Sequence, residues 1–395
     1  MTTSFYPPYN IGGDAVHVAN LAEELADRGH EVHVLFSMDA FTAKVGSKPQ
    51  IRQTNSKVTI HAISSPLSLS AYSAYTLGVS RTVTKKFREL VTEVEPDVVH
   101  HHNISLLGYN VLKKLGSYLN LYTAHDYWLI CPNSNLLRRD LSICQSGGCV
   151  FCSLPQIRPP QLWRYRSDFV KSVSDIDCLI APSEFLKNKL QKCFNVKSIT
   201  IPNFVPSAKP TQLASLSDFV FYAGVLEKHK GVELLVRSYR DMEPDMPKLV
   251  IAGRGELASW IEGFVGQEKL SERIIRLGWV ERDQLLGFVG KAKALVVPSI
   301  WPENSPLIAL EALSLGTPVI GSNRGGLPEI VSRLSDSLVF SWEIEGDLNR
   351  AIRQIAVDEG SLRKKARTIY ERFYTPERYL TAYKSLIDGE PVPGG

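Results

Sequence analysis

The chain has 395 residues, 44% hydrophobic and 22% charged, with 27 Gly and 23 Pro; this average globular composition excludes disorder, collagen and coiled coil. At about 150 residues per domain it makes two or three domains. The net charge of +4 is unevenly divided, with 21 Lys and Arg against 16 Asp and Glu in residues 1–200 and 24 against 25 in the remainder, an excess too small for a nucleic-acid footprint.

That excess suits an acidic membrane surface or a phosphorylated substrate. No apolar run reaches the roughly 18 residues needed to span a bilayer. Met1–Asn10 lacks the basic start and apolar stretch of a secretory leader. The expected location is the cytoplasm, with the inner face of the membrane as the alternative.

Ala15, Val18, Ala19, Ala22, Leu25 and Ala26 recur at helical spacing. Gly29 stops that helix, and Glu31–Phe36 reads as a strand. Val98–His102, Leu121–Ala124 and Cys178–Pro182 are apolar runs that end in loops, the pattern of buried parallel strands. Prolines 202, 206 and 210 then break all periodicity between Ile201 and Ser217, which marks a linker. A second series follows, with strands at Phe219–Ala223, Lys248–Ala252, Ile274–Leu277, Ala294–Val297 and Pro318–Gly321. The expected organisation is α/β: a Rossmann-like N-terminal domain over 1–205, a second Rossmann-like domain over 206–375, and a C-terminal helix over 376–395 that packs back on the first. The glycine turn at Ile11-Gly12-Gly13 should follow a strand of about five or six residues. Only Met1–Tyr6 precedes Pro7-Pro8, so the first strand reads as truncated.

Gly12 and Gly13 open a helix, where backbone N–H groups and the helix dipole favour an anion; the plain alternative is a tight turn. Lys228 and Lys230 lie at a strand-to-helix junction and could neutralise a diphosphate; the alternative is a solvated loop. Glu303 and Glu311 bracket the start of a helix opened by Pro306. The helix N-terminus between them suits a phosphate, and Glu311 suits the two hydroxyls of a ribose. Two surface glutamates would show the same spacing.

Trp301-Pro302-Glu303, seven residues, Glu311-Ala312-Leu313, then Gly316-Thr317-Pro318-Val319-Ile320 and Gly325-Gly326-Leu327-Pro328-Glu329 resemble the signature of glycosyltransferase family 4. Tyr6-Pro7-Pro8 with Gly12-Gly13, His125-Asp126, Pro202-Asn203 and Lys230-Gly231 match further family positions in order. The resemblance implies a GT-B fold, two Rossmann-like doubly wound domains facing a deep cleft, the first on the acceptor side and the second binding the donor. It implies a retaining, metal-independent transfer from a nucleotide-diphosphate sugar by front-side attack. It assigns catalytic roles to His125, beside the transferred sugar, Glu303, on its hydroxyls, and Lys230, on the leaving diphosphate. Donor contacts would come from Gly12, Gly13, Asn304, Ser305, Leu307, the ribose-binding Glu311, and Val280 in the base-binding loop. His102 and Asn203 would lie on the acceptor side.

Two positions depart from the family. Val225 stands where an arginine is usual, and Lys228 or Arg254 would have to replace that cation. Pro306 replaces a frequent glycine and has no N–H to offer. The expected activity is sugar transfer to a glycan or lipid-linked acceptor in polysaccharide or glycolipid synthesis. The alternatives are a catalytically weak nucleotide-sugar-binding scaffold, supported by Val225 and the short first strand, and a GT-B sugar-nucleotide epimerase.

Two features lie outside the signature. Cys131, Cys144, Cys149 and Cys152 fall within 22 residues, a spacing open to a structural zinc clip or to a reduced cluster that binds nothing. Arg138, Arg139, Arg158, Arg164, Arg166 and Lys171, with Trp163 and Tyr165 interleaved, read either as a membrane-surface contact or as a solvated helix face.

Overall fold

The computed structural model describes residues 1–46, 57–138, 140–145, 149–153, 159–208, 216–358 and 360–392. It divides into two compact units, Met1–Ile201 with Leu380–Gly395, and Pro202–Tyr379.

The first unit is built on strands β1 (Thr2–Thr3), β2 (Val32–Ser37), β3 (Val58–Ile63), β4 (Val98–His101), β5 (Leu119–Thr123), β6 (Cys178–Ala181) and β7 (Ser198–Thr200). They form one parallel sheet in the order β3-β2-β1-β4-β5-β6-β7. The second unit holds β8 (Phe219–Ala223), β9 (Lys248–Ala252), β10 (Ile274–Gly278), β11 (Ala294–Val297), β12 (Val319–Ser322) and β13 (Val339–Phe340), in the order β10-β9-β8-β11-β12-β13. Both orders reverse direction beside their first strand. That is the doubly wound arrangement, which gathers ligand sites at the C-terminal ends of the strands.

Continuous apolar runs make these strands because both faces of a parallel sheet are covered. Phe219, Val220, Phe221, Leu249, Val250 and Ile251 are fully buried, and each such side chain contributes about 1.5–3 kcal/mol. β1 is two residues long and sits between β2 and β4. The Met1 amino group donates to His33 O at 2.6 Å, and burial lowers its pKa to about 5.

The break between units falls at Ile201–Pro202, ahead of the position 205 read from the prolines. Phe204 packs on Tyr379 at 4.8 Å. Tyr370 Oη donates to Val205 O at 2.9 Å, and Val205 N donates to Tyr374 O. These contacts fix 202–205 to the second unit. At the other end, residues from Leu380 belong to the first unit, where Tyr383 Oη lies 3.0 Å from His100 Nδ1.

Candidate active site

In the second unit the loops that leave β8, β9 and β10 are laced together. Gly224 N donates to Ala252 O at 3.1 Å, Leu226 N to Arg254 O at 2.8 Å and Gly253 N to Gly278 O at 2.7 Å. Lys228, Arg254 and Val280 therefore come from three adjoining loops at one end of the sheet. Lys230 closes the 3-10 turn Lys228–Lys230. Its Nζ lies 2.7 Å from Glu303 Oε1 and 4.6 Å from the Trp301 ring centre. Ser299 Oγ donates to the same carboxylate oxygen at 2.8 Å. Two residues singled out separately in the sequence thus form one ion pair, with the Glu303 side chain only 8% exposed.

Asn304 and Ser305 are buried, and the helix Leu307–Ser314 starts directly after Pro306. Ala309 N donates to the cap carbonyl Pro306 O at 3.0 Å, and the N–H groups of Leu307 and Ile308 ahead of it lie outside the helix's own ladder. Asn203 is a correction: expected on the acceptor side, it lies in the second unit. There its Nδ2 donates to Ser305 O at 3.1 Å, so it braces the loop that leads into this helix. Glu311, one turn in, is buried, and Arg282 Nη2 reaches its Oε1 at 2.6 Å. Burial raises the Glu311 pKa, and Arg282 pulls it back. Sequence reasoning missed Arg282 and Ser299; neither lies in a motif, and only the fold brings them to the glutamates.

In the first unit Gly12, with φ +82°, precedes the helix that begins at Gly13. Only glycine takes that backbone form without strain. Asn103 Nδ2 donates to Asp14 Oδ2 at 2.7 Å beside it. His102 follows β4 and His125 follows β5, and parallel register makes them neighbours: His100 pairs with Leu121 and His101 with Tyr122. His100 and His102 share one face, with ring centres 4.0 Å apart. His101 points the other way, to Thr2 and Asn120.

His102 is fully buried. Its Nδ1 lies 3.0 Å from His125 Nε2. Burial lowers the His125 pKa to about 4 and holds His102 well below its ordinary value, so both rings are neutral at pH 7. One of the facing nitrogens must then donate. His102 Nε2 is buried with no hydrogen-bond partner among the described residues, and an orphan N–H is rarer than an orphan lone pair. That favours a His102 proton on Nδ1, with His125 accepting at Nε2 and protonated on Nδ1. His102→Leu is expected to release that tautomer, because it removes the hydrogen bond between the rings, and His102→Asn, which keeps a donor, should restore it in part. Ring ¹⁵N shifts of His125 report the tautomer; unchanged shifts in the leucine variant would remove His102 from this role.

The four clustered cysteines are free thiols. Cys131, Cys144 and Cys149 lie near enough to help raise the Cys152 pKa, after burial. Among the described residues no group of three or more His, Cys, Asp or Glu is arranged to hold a metal ion. The basic–aromatic segment divides differently from its sequence reading. Arg139 and Arg158 lie outside the described residues. Trp163 is buried, and Arg164 stacks on Trp128 and Trp163 while donating to Trp128 O at 2.5 Å. These two hold the interior together, and Arg138, Tyr165, Arg166 and Lys171 remain exposed.

Comparison with known proteins follows the same division. A sucrose-phosphate synthase from Thermosynechococcus elongatus superposes with a TM-score of 0.71 at 19% identity, over 98% of each chain. That places the protein among folds of the GT-B type. Residues 206–372 match the family described as Glycosyl transferases group 1, and residues 11–209 match Glycosyltransferase Family 4. The chain belongs to glycosyltransferase family 4. Relatives include a 42.6 kDa protein of the cps region of Klebsiella pneumoniae, 24% identical over 97% of this chain and 99% of that protein. A glycogen synthase of Mycobacterium tuberculosis is 25% identical over 93% and 88%. No helix among the described residues is long and apolar enough to cross a membrane.

Proposed function

We propose that this glycosyltransferase moves a sugar from a nucleotide-diphosphate sugar to a glycan or lipid-linked acceptor, with retention of anomeric configuration and without a catalytic metal. The observation that carries the reading is the ion pair of Lys230 with buried Glu303 ahead of the helix Leu307–Ser314. A cation and the N–H groups of a helix N-terminus meet the charge of a departing diphosphate. The Glu303 carboxylate accepts hydrogen bonds from sugar hydroxyls, and Glu311 does the same for the ribose. Arg254 stands in for the cation missing at Val225, since its loop is bonded to the one holding Val225. In the first unit, His125 is the candidate for a hydrogen bond to a sugar hydroxyl. A glycan acceptor agrees with the name of the glycogen synthase relative.

The scaffold alternative rests on Val225 and the short first strand, and Arg254 beside Val225 weakens the first of these. The reading is tested by incubating the protein with a panel of nucleotide sugars and glycan or lipid-linked acceptors, with and without EDTA. The expected product keeps the donor's anomeric configuration, and EDTA leaves the rate unchanged. An inverted product, or activity abolished by EDTA and restored by a divalent cation, would overturn the corresponding part. Product formed without any acceptor would favour the epimerase.

A further inference from the structure

The helix Leu69–Leu77 is apolar on the wrong side. It turns the small residues Ser70, Ala71 and Ala74 inward and leaves Leu69, Tyr72 and Leu77 in solvent. Beside it run the 3-10 turn Leu162–Tyr165 and the helix Ser167–Ser174, which expose Leu162, Tyr165 and Val170. These six large side chains are 50–64% exposed, and Leu67 ahead of them is 87% exposed. The elements are fastened side by side. Trp163 Nε1 donates to Tyr75 O at 3.1 Å, and the Tyr109 and Trp163 rings pack 5.4 Å apart. Leu77 and Leu162 thus line one groove, and exposed apolar side chains gathered in this way mark an interaction site.

Its rim is cationic. A groove with Leu77, Val79, Tyr109 and Leu162 in its walls carries Lys113 and Arg166. An adjoining groove shares Val79 and carries Arg81, Lys85 and Arg88; spacings of three and four residues put these three on one helix face. Lys85 pairs with Glu89 at 3.9 Å and Arg166 with Asp168 at 3.4 Å. Among the described residues, Arg81, Arg88, Lys113 and Lys171 have no ion-pair partner. Leucines and tyrosines ringed by unpaired cations are the composition that settles into the headgroup region of an anionic bilayer.

We propose that this face docks the protein on an anionic membrane surface. The inference is independent of the sugar-transfer reading, because its test reads binding alone. The full chain is sedimented with phosphatidylcholine vesicles, with and without phosphatidylglycerol. It is expected to pellet with the anionic vesicles only, and less so as salt rises. Arg81→Glu with Arg88→Glu, and separately Leu77→Ser with Leu162→Ser, are each expected to weaken binding about tenfold or more while circular dichroism stays native, since all four side chains are exposed. Protein that stays in the supernatant, or binding that neither pair reduces, would overturn the proposal. So would a dimer in sedimentation velocity that Leu77→Ser with Leu162→Ser dissolves, because the face would then be covered by a second copy.

Discussion

Lys230→Ala is expected to lower sugar-transfer turnover by about 10²–10³-fold, the scale of losing one fixed charge-stabilising group at a reacting centre. The lysine is held before any donor arrives, by Glu303 Oε1 at 2.7 Å and the face of Trp301. Its alanine variant also strands a buried carboxylate, with Ser299 Oγ still donating to it. That adds a stability cost of about 1–3 kcal/mol, read separately by thermal melting. Glu303→Gln keeps the shape, removes the charge and is expected to lose turnover comparably. Because the two groups touch, their losses should not add in the double variant. Wild type, Lys230→Ala and Glu303→Ala of equal donor-hydrolysis and transfer activity would remove both residues from the chemistry.

The largest expected stability loss lies one residue further on. Gly231 joins the turn Lys228–Lys230 to the helix Val232–Ser238 with φ +70°. A Cβ built there would lie 1.8 Å from Pro298 O and 2.7 Å from Pro298 C, both backbone atoms of the loop that leads to Glu303. Neither segment has a flexible side chain that could turn away. Gly231→Ala is expected to cost about 2–5 kcal/mol, from left-handed strain plus forced displacement, and to lower the melting temperature by roughly 5–15 °C. Gly346→Ala separates the two causes: its φ is +78°, but nothing lies within 4 Å of the new Cβ, so only about 1–2 kcal/mol of strain should remain. Equal losses in the two variants would show that the Pro298 collision is relieved.

Much of the second unit was legible because buried parallel strands write themselves as unbroken apolar runs. Phe219–Ala223, Lys248–Ala252 and Ala294–Val297 fold with the bounds their residues suggest. β3, Val58–Ile63, escapes that rule: an edge strand with two exposed positions, it carries Thr59 and His61 among its one valine and two isoleucines. β7 and β13 are three and two residues long, too short for any period. The glutamates and lysine of the site could be named from sequence. Their pairing could not, since Lys230 and Glu303 are 73 residues apart and meet only once β8 and β11 pair. Asn203 was assigned to the wrong unit because a proline-rich stretch shows that a boundary exists, and the contacts of Phe204 and Val205 decide on which side it falls. In the helix Leu69–Leu77 only the small side chains Ser70, Ala71 and Ala74 face inward, so its large apolar residues do not trace the core.

Arg282 gives donor binding a thermodynamic character of its own. The buried carboxylate of Glu311 already holds that guanidinium at 2.6 Å, and the arginine is itself half-exposed. In the proposed reading, ribose hydroxyls arrive at an oxygen that has an incumbent, so binding is an exchange and not the filling of a vacancy. Intrinsic affinity is then scaled by the fraction of molecules in which Arg282 has swung out to water. Burial raises the Glu311 pKa and Arg282 opposes that rise, so each exchange also removes the cation that favours the charged carboxylate.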